Sequence, residues 1–228
     1  MNTLTAIVPA YNEEATIEKS LNSLLKQNYI SEIIIINDGS TDKTLDILKQ
    51  INDLDSRVKI VSNLENKGKG NCLNSVRKFI SSDYVVIHDA DLEYDPNDLY
   101  DMFKMISGYN LILGTRFKGP KQRTNIYLRT FIANKIMSKF FSIVHNSKIS
   151  DIATCYKMMP SEFFKNTSFK EKGFSIEIEM VAKFLKTSRD IVESPISYSG
   201  RSYEEGKKIK TLDGFLYLFN TLKYRFFK

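Results

Sequence analysis

A run of four isoleucines, Ile33–Ile36, is the feature that most limits how this chain can fold. No residue in the run is polar, so a strand built from it presents apolar side chains to both faces of its sheet. Such strands are typical of parallel sheets covered by helices, because there both faces are withdrawn from water. The run therefore predicts an α/β fold rather than a half-exposed antiparallel sheet.

The rest of the first half repeats the pattern of a short apolar strand followed by a helix. The predicted strands are Leu4–Val8, Ile33–Ile36, Val58–Val61, Tyr84–Ile87 and Leu111–Leu113. Between them, apolar residues recur at helical spacing, as at Ile17, Leu21 and Leu24. Alternation of this kind predicts an open βαβαβαβαβ sheet over residues 1–115. Ligands of such sheets bind beyond the carboxyl ends of the strands.

Composition describes a globular chain that can bury a core of its own. The 228 residues are 42% hydrophobic and 26% charged, and their net charge is +6. This excess positive charge suits an anionic ligand or a membrane surface, but in most proteins such a charge serves only solubility. Two cysteines cannot build a disulfide framework. Since no signal peptide or membrane span is recognisable, we expect a cytoplasmic protein.

The second half is predicted to be mainly helical. Residues 124–144 are apolar with scattered basic side chains, and a further helix is predicted over 176–187. No repeat or linker interrupts the chain, which predicts a single domain, 1–210, followed by an amphipathic helical tail, 211–228. The tail interleaves aromatic and basic residues. That pattern suits an interfacial helix on anionic lipid, and equally a core-packing helix with a basic fringe.

Asp89 and Asp91 directly follow an apolar strand and are separated by one residue. Two carboxylates at this spacing can share a divalent cation and a diphosphate, and their hard oxygen atoms favour Mg²⁺ or Mn²⁺. Glu93 can add a third oxygen or face water. A pair of solvated turn carboxylates is the alternative, so the motif alone leaves both interpretations open.

Two other strand ends carry groups that suit a nucleotide. Asp38 ends the isoleucine strand, where a carboxylate can bind a base or ribose or can cap a turn. The segment 67–70 (KGKG) precedes a helix, and it either approaches an anion closely or forms a flexible basic turn. The chain lacks a Walker A loop and a G-x-G-x-x-G fingerprint, which argues against P-loop nucleotidases and NAD-dependent dehydrogenases.

Taken together, the motifs resemble those of family 2 glycosyltransferases with the GT-A fold. They are, in chain order, Val8–Glu14, Ile36–Asp42, Asn66–Gly70, Asp89–Asp91 and Gly114–Arg116. Three later segments are similar to the dolichyl-phosphate mannose synthase and polyprenyl-phosphate glycosyltransferase branch. These segments are Asp151–Tyr156, Gly173–Met180 and Pro195–Gly206. The resemblance implies a Rossmann-like, mostly parallel mixed sheet flanked by helices.

The resemblance also implies a nucleotide-sugar site with a divalent cation. The residues that it assigns to the nucleotide-sugar are Pro9, Ala10, Tyr11, Glu13, Asp38, Lys67, Gly70, Asp89 and Ala90. Those that it assigns to Mg²⁺ or Mn²⁺ are Asp89, Asp91 and, more weakly, Glu93.

Further residues are implied at the acceptor and at the reacting centre. Arg116 is expected to grip the donor diphosphate or an acceptor phosphate, with Arg129 and Arg201 as additional phosphate ligands. Asp151 is the candidate for orienting the acceptor or taking its proton, and a turn or cap role is its alternative. Glu177 and Glu179 point about 200° apart on a helix, so at most one faces the site. The resemblance favours Glu179.

The implied reaction is inverting transfer from a UDP- or GDP-sugar to a polyprenyl phosphate by direct displacement, with Asp91, Arg116 and Asp151 as the catalytic residues. Transfer to a glycan hydroxyl in cell-surface polysaccharide synthesis is the alternative, followed by non-catalytic nucleotide-sugar binding. Nucleic acid is not an expected partner, because acidic strand ends repel phosphate in the absence of metal. Some members of the branch carry C-terminal membrane spans. None is recognisable here, so peripheral contact with the inner membrane face would depend on residues 124–144 and 215–228.

Overall fold

The computed structural model describes residues 2–201 and 211–227. Three sequence predictions therefore fall partly outside the described residues: the domain boundary at residue 210, the end of the motif over 195–206, and the last residue of the tail. Within the described ranges, the chain forms a seven-stranded sheet, a separate pair of very short strands, and eight α-helices, several of which pack against the main sheet.

The elements alternate in the order that the sequence predicts for the first half. The strands are β1 Leu4–Ala10, β2 Glu32–Asp38, β3 Val58–Asn63, β4 Tyr84–Ile87, β5 Leu111–Thr115, β6 Arg123–Thr124, β7 Lys157–Pro160, β8 Ile191–Pro195 and β9 Tyr198–Ser199. The helices are α1 Ile17–Leu25, α2 Thr44–Leu54, α3 Lys69–Val76, α4 Asp98–Lys104, α5 Leu128–His145, α6 Ser161–Asn166, α7 Ile176–Thr187 and α8 Thr211–Phe226.

The main sheet has the strand order β3-β2-β1-β4-β7-β5-β8. Its strand pairs are parallel except that β7 runs antiparallel to both β4 and β5. This confirms the predicted mixed, mostly parallel α/β sheet. The five predicted strands are all present, and most of them extend one or two residues beyond the predicted ends.

The four isoleucines lie at the centre of the sheet's first half, as their pattern predicts. Ile34 pairs with Ile7 of β1, and Ile35 pairs with Ile60 of β3. Each of the four is completely inaccessible to water. At about 25 cal/mol per Å² of buried apolar surface, this run is a principal source of hydrophobic stabilisation for the fold.

The second half is less helical than predicted, since it contains the strands β6 to β9 and the short helix α6. The long helix starts at Leu128, because residues 123–124 instead form β6, which pairs with β9. The strand β7 was not predicted from the sequence, and its insertion separates β4 from β5. The helix predicted over 176–187 is confirmed as α7.

The carboxyl ends of the parallel strands place the polar motifs along one edge of the sheet. Asp38 is the last residue of β2, Asp89 lies two residues after β4, and Arg116 directly follows β5. The segment after β1 contributes Tyr11 and Glu13. Side chains that are distant in sequence therefore come together at this edge.

The helices α5 and α8 pack against one another, and α8 also contacts α7. The inner face of α8 buries Tyr217, Asn220, Thr221 and Tyr224. Its outer face exposes Phe215, Leu216, Phe219, Leu222 and Phe226. Among the described helices, none combines the length and the apolar character needed to cross a membrane.

Candidate active site

A cavity of about 1250 Å³ opens at the carboxyl edge of the sheet. One end is polar and is formed by the motifs that follow β1, β2, β4 and β5. The other end runs between α5 and α8 and is mainly apolar, with Leu128, Ile136, Met137, Phe215 and Leu218 in its wall. Such a mainly apolar cleft with a few convergent polar groups is the usual form of a small-molecule site.

Most of the sequence-predicted site residues meet in this cavity. Those in its wall are Pro9, Ala10, Tyr11, Glu13, Asp38, Asp89, Ala90, Asp91, Glu93, Arg116, Arg129 and Arg201. Of the predicted residues that the structure describes, Lys67, Gly70, Asp151 and Glu179 are not in the wall. The contacts of these four explain their positions.

Asp38 organises the turn that the sequence singled out at residues 67–70. Its carboxylate accepts hydrogen bonds from the backbone N–H groups of Lys67 (3.0 Å) and Gly68 (2.8 Å) and from Asn63 Nδ2 (2.7 Å). Charge-assisted bonds of this kind fix the turn against the end of β2. Lys67 therefore supports the polar end of the cavity through its backbone, although it does not itself line the cavity.

Glycine is required in this turn because another segment lies directly on it. Gly68 has a φ of +86°, and a Cβ at Gly70 would lie 1.8 Å from the carbonyl oxygen of Glu171. The N–H of Gly70 donates to the carbonyl of Lys172 at 2.8 Å. Gly70 thus joins the turn to the segment before α7 and does not itself reach the cavity.

Asp89 is paired with Lys69, the lysine between these two glycines. Lys69 Nζ lies 2.8 Å from Asp89 Oδ1. Burial alone would raise the pKa of Asp89, but the Lys69 ammonium outweighs that effect and lowers it. Burial likewise opposes the charge on Lys69, yet Asp89 and Glu177 raise its pKa well above the ordinary value. Both groups are therefore charged.

Asp91 lies in a more negative environment. Burial raises its pKa to about 7, and the carboxylates of Asp89 and Glu93 act in the same direction. Arg201 partly offsets this effect, with Nη2 at 2.8 Å from Asp91 Oδ2. Arg201 also lies 3.4 Å from Glu13, and its backbone N–H donates to Glu93. The carboxylates in this part of the cavity therefore carry more negative charge than the side chains of Lys69 and Arg201 can neutralise.

The donor set fits a divalent cation that is shared with a bound diphosphate. Asp89, Asp91 and Glu93 are acidic oxygen donors in one cavity wall, and the pKa of Asp91 is raised first by burial and then by repulsion from Asp89 and Glu93. In the described part of the chain, no three His, Cys, Asp or Glu side chains are arranged to hold a metal by themselves. The other positions around an ion would then be filled by phosphate and water oxygens, as is usual for Mg²⁺.

Arg116 and Asp151 form a buried ion pair beside the cavity. Both nitrogen–oxygen contacts of the fork are shorter than 3 Å, and Asp151 is completely inaccessible to water. The guanidinium of Arg116 also stacks over Tyr198, with 4.9 Å between its central carbon and the ring centroid. The guanidinium of Arg116 is therefore held in one orientation at the cavity wall, and both carboxylate oxygens of Asp151 accept hydrogen bonds from it.

The two glutamates at the start of α7 occupy different environments, and the prediction that favoured Glu179 is not what the geometry supports. Glu179 accepts backbone hydrogen bonds from Lys170 and Glu171 and pairs with Lys183, away from the cavity. Glu177 lines the cavity and contacts Lys69. One residue of the pair faces the site, as the helical spacing predicts, but it is the other one.

Lys69 is a site residue that the sequence reasoning missed. It lines the cavity and contacts both Asp89 and Glu177. Its position between two glycines before α3 was the available signal, since that turn was expected to lie near an anion. Arg129, for which the sequence predicts contact with a phosphate, lines the cavity near the start of α5.

Comparisons with known proteins identify the family of this chain. The profile of Glycosyl transferase family 2 matches residues 5–167. Glycosyltransferase AglJ of Haloferax volcanii is 26% identical over 86% of this chain, and the match spans 62% of AglJ. A UDP-N-acetylglucosamine–dolichyl-phosphate N-acetylglucosaminyltransferase of Methanococcus voltae is 25% identical over 95% of this chain and 93% of that protein.

Solved structures share the fold. Glucosyl-3-phosphoglycerate synthase of Mycobacterium tuberculosis, in complex with Mn²⁺ and UDP-glucose, superposes with a TM-score of 0.76 at 18% identity. The match covers 100% of this chain and 80% of that one. The complex of the same enzyme with Mn²⁺, UDP and phosphoglyceric acid has a TM-score of 0.73. Since the family profile covers well over half of the sequence and the sheet has the GT-A architecture, this chain belongs to glycosyl transferase family 2.

Proposed function

We propose that the protein transfers a sugar from a UDP- or GDP-sugar to a polyprenyl phosphate, with Mg²⁺ or Mn²⁺ as cofactor and with inversion at the anomeric carbon. The observation that carries the proposal is the two-ended cavity. Its polar end combines acidic groups with Arg116 and Arg201, and its apolar end continues between α5 and α8. A nucleotide diphosphate suits the first end, and a long isoprenoid chain suits the second.

The donor would lie at the polar end. Asp89 and Asp91, with Glu93 nearby, would hold the cation, which neutralises charge on the departing nucleoside diphosphate. Arg201, already adjacent to Asp91, can turn its guanidinium to the diphosphate once the cation takes its place. The turn held by Asp38 and the segment from Pro9 to Glu13 would enclose the nucleoside.

The acceptor phosphate would enter between the two ends. Arg116 and Arg129 both line the cavity, and each offers a guanidinium to a phosphate. An ionised phosphate oxygen can attack the anomeric carbon directly, as the bond from that carbon to the diphosphate oxygen breaks. No strong general base is then needed. This agrees with Asp151, whose oxygens are bound to Arg116 and which would act by fixing that arginine.

Transfer to a glycan hydroxyl is less well supported. A hydroxyl must lose a proton, so that reaction needs a carboxylate within reach of the acceptor. Asp151, the residue predicted for that task, lies outside the cavity wall and is engaged by Arg116.

The same helices suggest where the protein meets a membrane. Ile132, Ile136 and Ile143 of α5 and Phe215 and Phe219 of α8 are all exposed to a large extent. Lysines and arginines occur along both helices, which is the composition of an interfacial surface on anionic lipid. Peripheral contact with the cytoplasmic leaflet would bring the open end of the cavity to its lipid acceptor.

One experiment tests the proposal directly. The purified chain is incubated with Mn²⁺ or Mg²⁺, each of a panel of radiolabelled UDP- and GDP-sugars, and either a polyprenyl phosphate or a soluble glycan. We expect label to enter the organic phase only with polyprenyl phosphate and only with a divalent cation. Transfer to the glycan alone would refute the lipid acceptor, and the lack of transfer from every donor would refute the reaction.

A further inference from the structure

A chain of alternating charges runs from the cavity into the protein interior. Lys69 Nζ lies 2.8 Å from Asp89 Oδ1 and 2.8 Å from Glu177 Oε1. The second oxygen of Glu177 is bound by Nζ of Lys157, which also donates to the carbonyl of Thr154. The order is therefore carboxylate, ammonium, carboxylate, ammonium, with no net charge.

The inner end of this chain is far better shielded than the outer end. The side chain of Lys157 is completely inaccessible to water, and that of Glu177 is 3% exposed. Lys69 is 10% exposed and Asp89 24% exposed. Asp89, Lys69 and Glu177 line the cavity, whereas Lys157 lies on β7 behind them. Lys157 can therefore influence a ligand only through Glu177.

Stability alone does not explain this arrangement. Burying an ammonium and a carboxylate costs several kcal/mol of desolvation, and well-packed apolar residues of similar size are often as stable or more so. Lys157 lies on β7, the antiparallel strand between β4 and β5, where Met158 and Met159 next to it are fully buried apolar residues. Because stability does not account for a charged residue at position 157, we look for the function of Lys157 in the cavity that its partner Glu177 lines.

We propose that Lys157 is a positioning residue of the donor site. Through Glu177 it holds the Lys69 ammonium in place, and it thereby sets how much negative charge Asp89 offers to a divalent cation. This inference rests on the cation site of the proposed function. It adds to that site Lys157, which lies outside the cavity wall and outside the Asp89–Asp91 motif.

The electrostatics of the chain give opposite expectations for its two inner members. Without the charge of Lys157, Glu177 is neutralised by Lys69 alone and draws that ammonium away from Asp89. The net charge of the four-residue chain then changes from zero to −1, and the excess negative charge lies next to the cavity. Without the charge of Glu177, Lys69 is left to Asp89 alone and Lys157 is unpaired, so the wall becomes more positive by one charge. A divalent cation responds to each change in the corresponding direction.

The test measures binding of Mn²⁺ to the full chain by electron paramagnetic resonance, first with Mn²⁺ alone and then with UDP or GDP added, at one fixed pH and ionic strength. The variants are Lys157→Met, Glu177→Gln and the double variant, with Lys157→Arg as the charge-conserving control. We expect Lys157→Met to tighten Mn²⁺ binding about fivefold and Glu177→Gln to weaken it about fivefold. The double variant, which restores the net charge, and Lys157→Arg should both lie close to the wild type.

Thermal melting of each variant separates this role from a structural one. If Lys157 and Glu177 only support the fold, Mn²⁺ affinity falls in both single variants in step with the melting temperature, and the double variant restores nothing. That result overturns the inference, as does unchanged affinity in folded single variants. If the wild type itself binds no Mn²⁺ even with UDP or GDP present, the cation site of the proposed function fails, and this inference fails with it.

Discussion

Arg116 and Asp151 are joined by a two-pronged ion pair, with Nε at 2.7 Å from one carboxylate oxygen and Nη2 at 2.8 Å from the other. The backbone N–H of Arg116 donates to the same carboxylate at 3.0 Å. The pair is buried, so the desolvation of both ions is offset mainly by this geometry. Asp151 therefore acts on the cavity through the orientation of Arg116.

Replacing Asp151 by asparagine should destabilise the protein and weaken catalysis together. The substitution leaves a buried, unpaired guanidinium, which costs about 3 kcal/mol or more. We expect a lower denaturation midpoint in urea and a raised KM for the phosphate acceptor, because Arg116 loses its fixed plane. Arg116→Lys is the matched variant, because a lysine keeps the positive charge but cannot donate two parallel hydrogen bonds to the carboxylate of Asp151. A variant with wild-type stability and kinetics would contradict the assigned role.

Asp91→Asn should abolish most of the turnover while leaving the fold intact. Asp91 lies in the cavity wall among carboxylates, and its negative charge would bind the cation that is shared with the diphosphate. We expect kcat to fall about 100-fold or more, with an unchanged melting temperature or a higher one, since a repulsive charge is removed. Asp53→Asn, at an exposed position on α2, controls for loss of a carboxylate as such.

Removal of divalent cations should stop the reaction reversibly. No three protein side chains in the described ranges hold a metal by themselves, so bound cation should exchange readily with solution. We expect EDTA to abolish transfer and excess Mn²⁺ or Mg²⁺ to restore it, as measured by nucleoside diphosphate release. Full activity after extensive EDTA treatment and gel filtration would exclude a cation role.

Acid should weaken the contact between α5 and α8 through His145. Its ring lies against α8 and bonds the carbonyl of Thr221. Burial lowers its pKa below the ordinary value of 6.5, with Arg225, Lys186 and Arg189 acting in the same direction. The unfolded chain therefore takes up this proton at higher pH than the folded chain does. The stabilisation is complete above about pH 6.5 and is lost as the pH falls below it.

His145→Gln isolates this effect, because the glutamine amide can replace the Nε2–H donor but does not titrate. We expect the free energy of unfolding in urea to depend less steeply on pH between about 6.5 and 5 in the variant. His88 accounts for part of the remaining slope, since burial lowers its pKa to about 4. Identical slopes in the variant and the wild type would show that His145 does not contribute.

Vesicle flotation should depend on the exposed aromatic face of α8. Phe219 is 64% exposed there, so Phe219→Glu removes apolar surface and adds a negative charge without disturbing the core. We expect binding to anionic vesicles to weaken roughly tenfold. Leu54→Glu on α2, where the leucine is 85% exposed, is the matched control. Equal binding by both variants would remove α8 from the membrane contact.

The first half of the fold could be predicted because its signals are local. An uninterrupted apolar run such as Ile33–Ile36 has one stable setting, a strand covered on both faces. Once the sheet is parallel, its carboxyl ends share an edge, which places Asp38, Asp89 and Arg116 together. The strand β7 escaped prediction because its sequence, KMMP, starts with a lysine and ends with a proline, whereas β4, of the same length, is YVVI.

The candidate site was predictable as a set of residues but not as a set of contacts. Glu177 and Glu179 are indistinguishable by spacing, and the usual guide, an apolar stripe, is missing because every residue of α7 from Ile176 to Ala182 is buried. The rotation of α7 is decided by packing against several elements at once. The sequence by itself determined which chemical groups gather at the sheet edge, through patterns that each segment carries alone. Which lysine meets which carboxylate depends on packing between distant segments, and only the tertiary structure decided it.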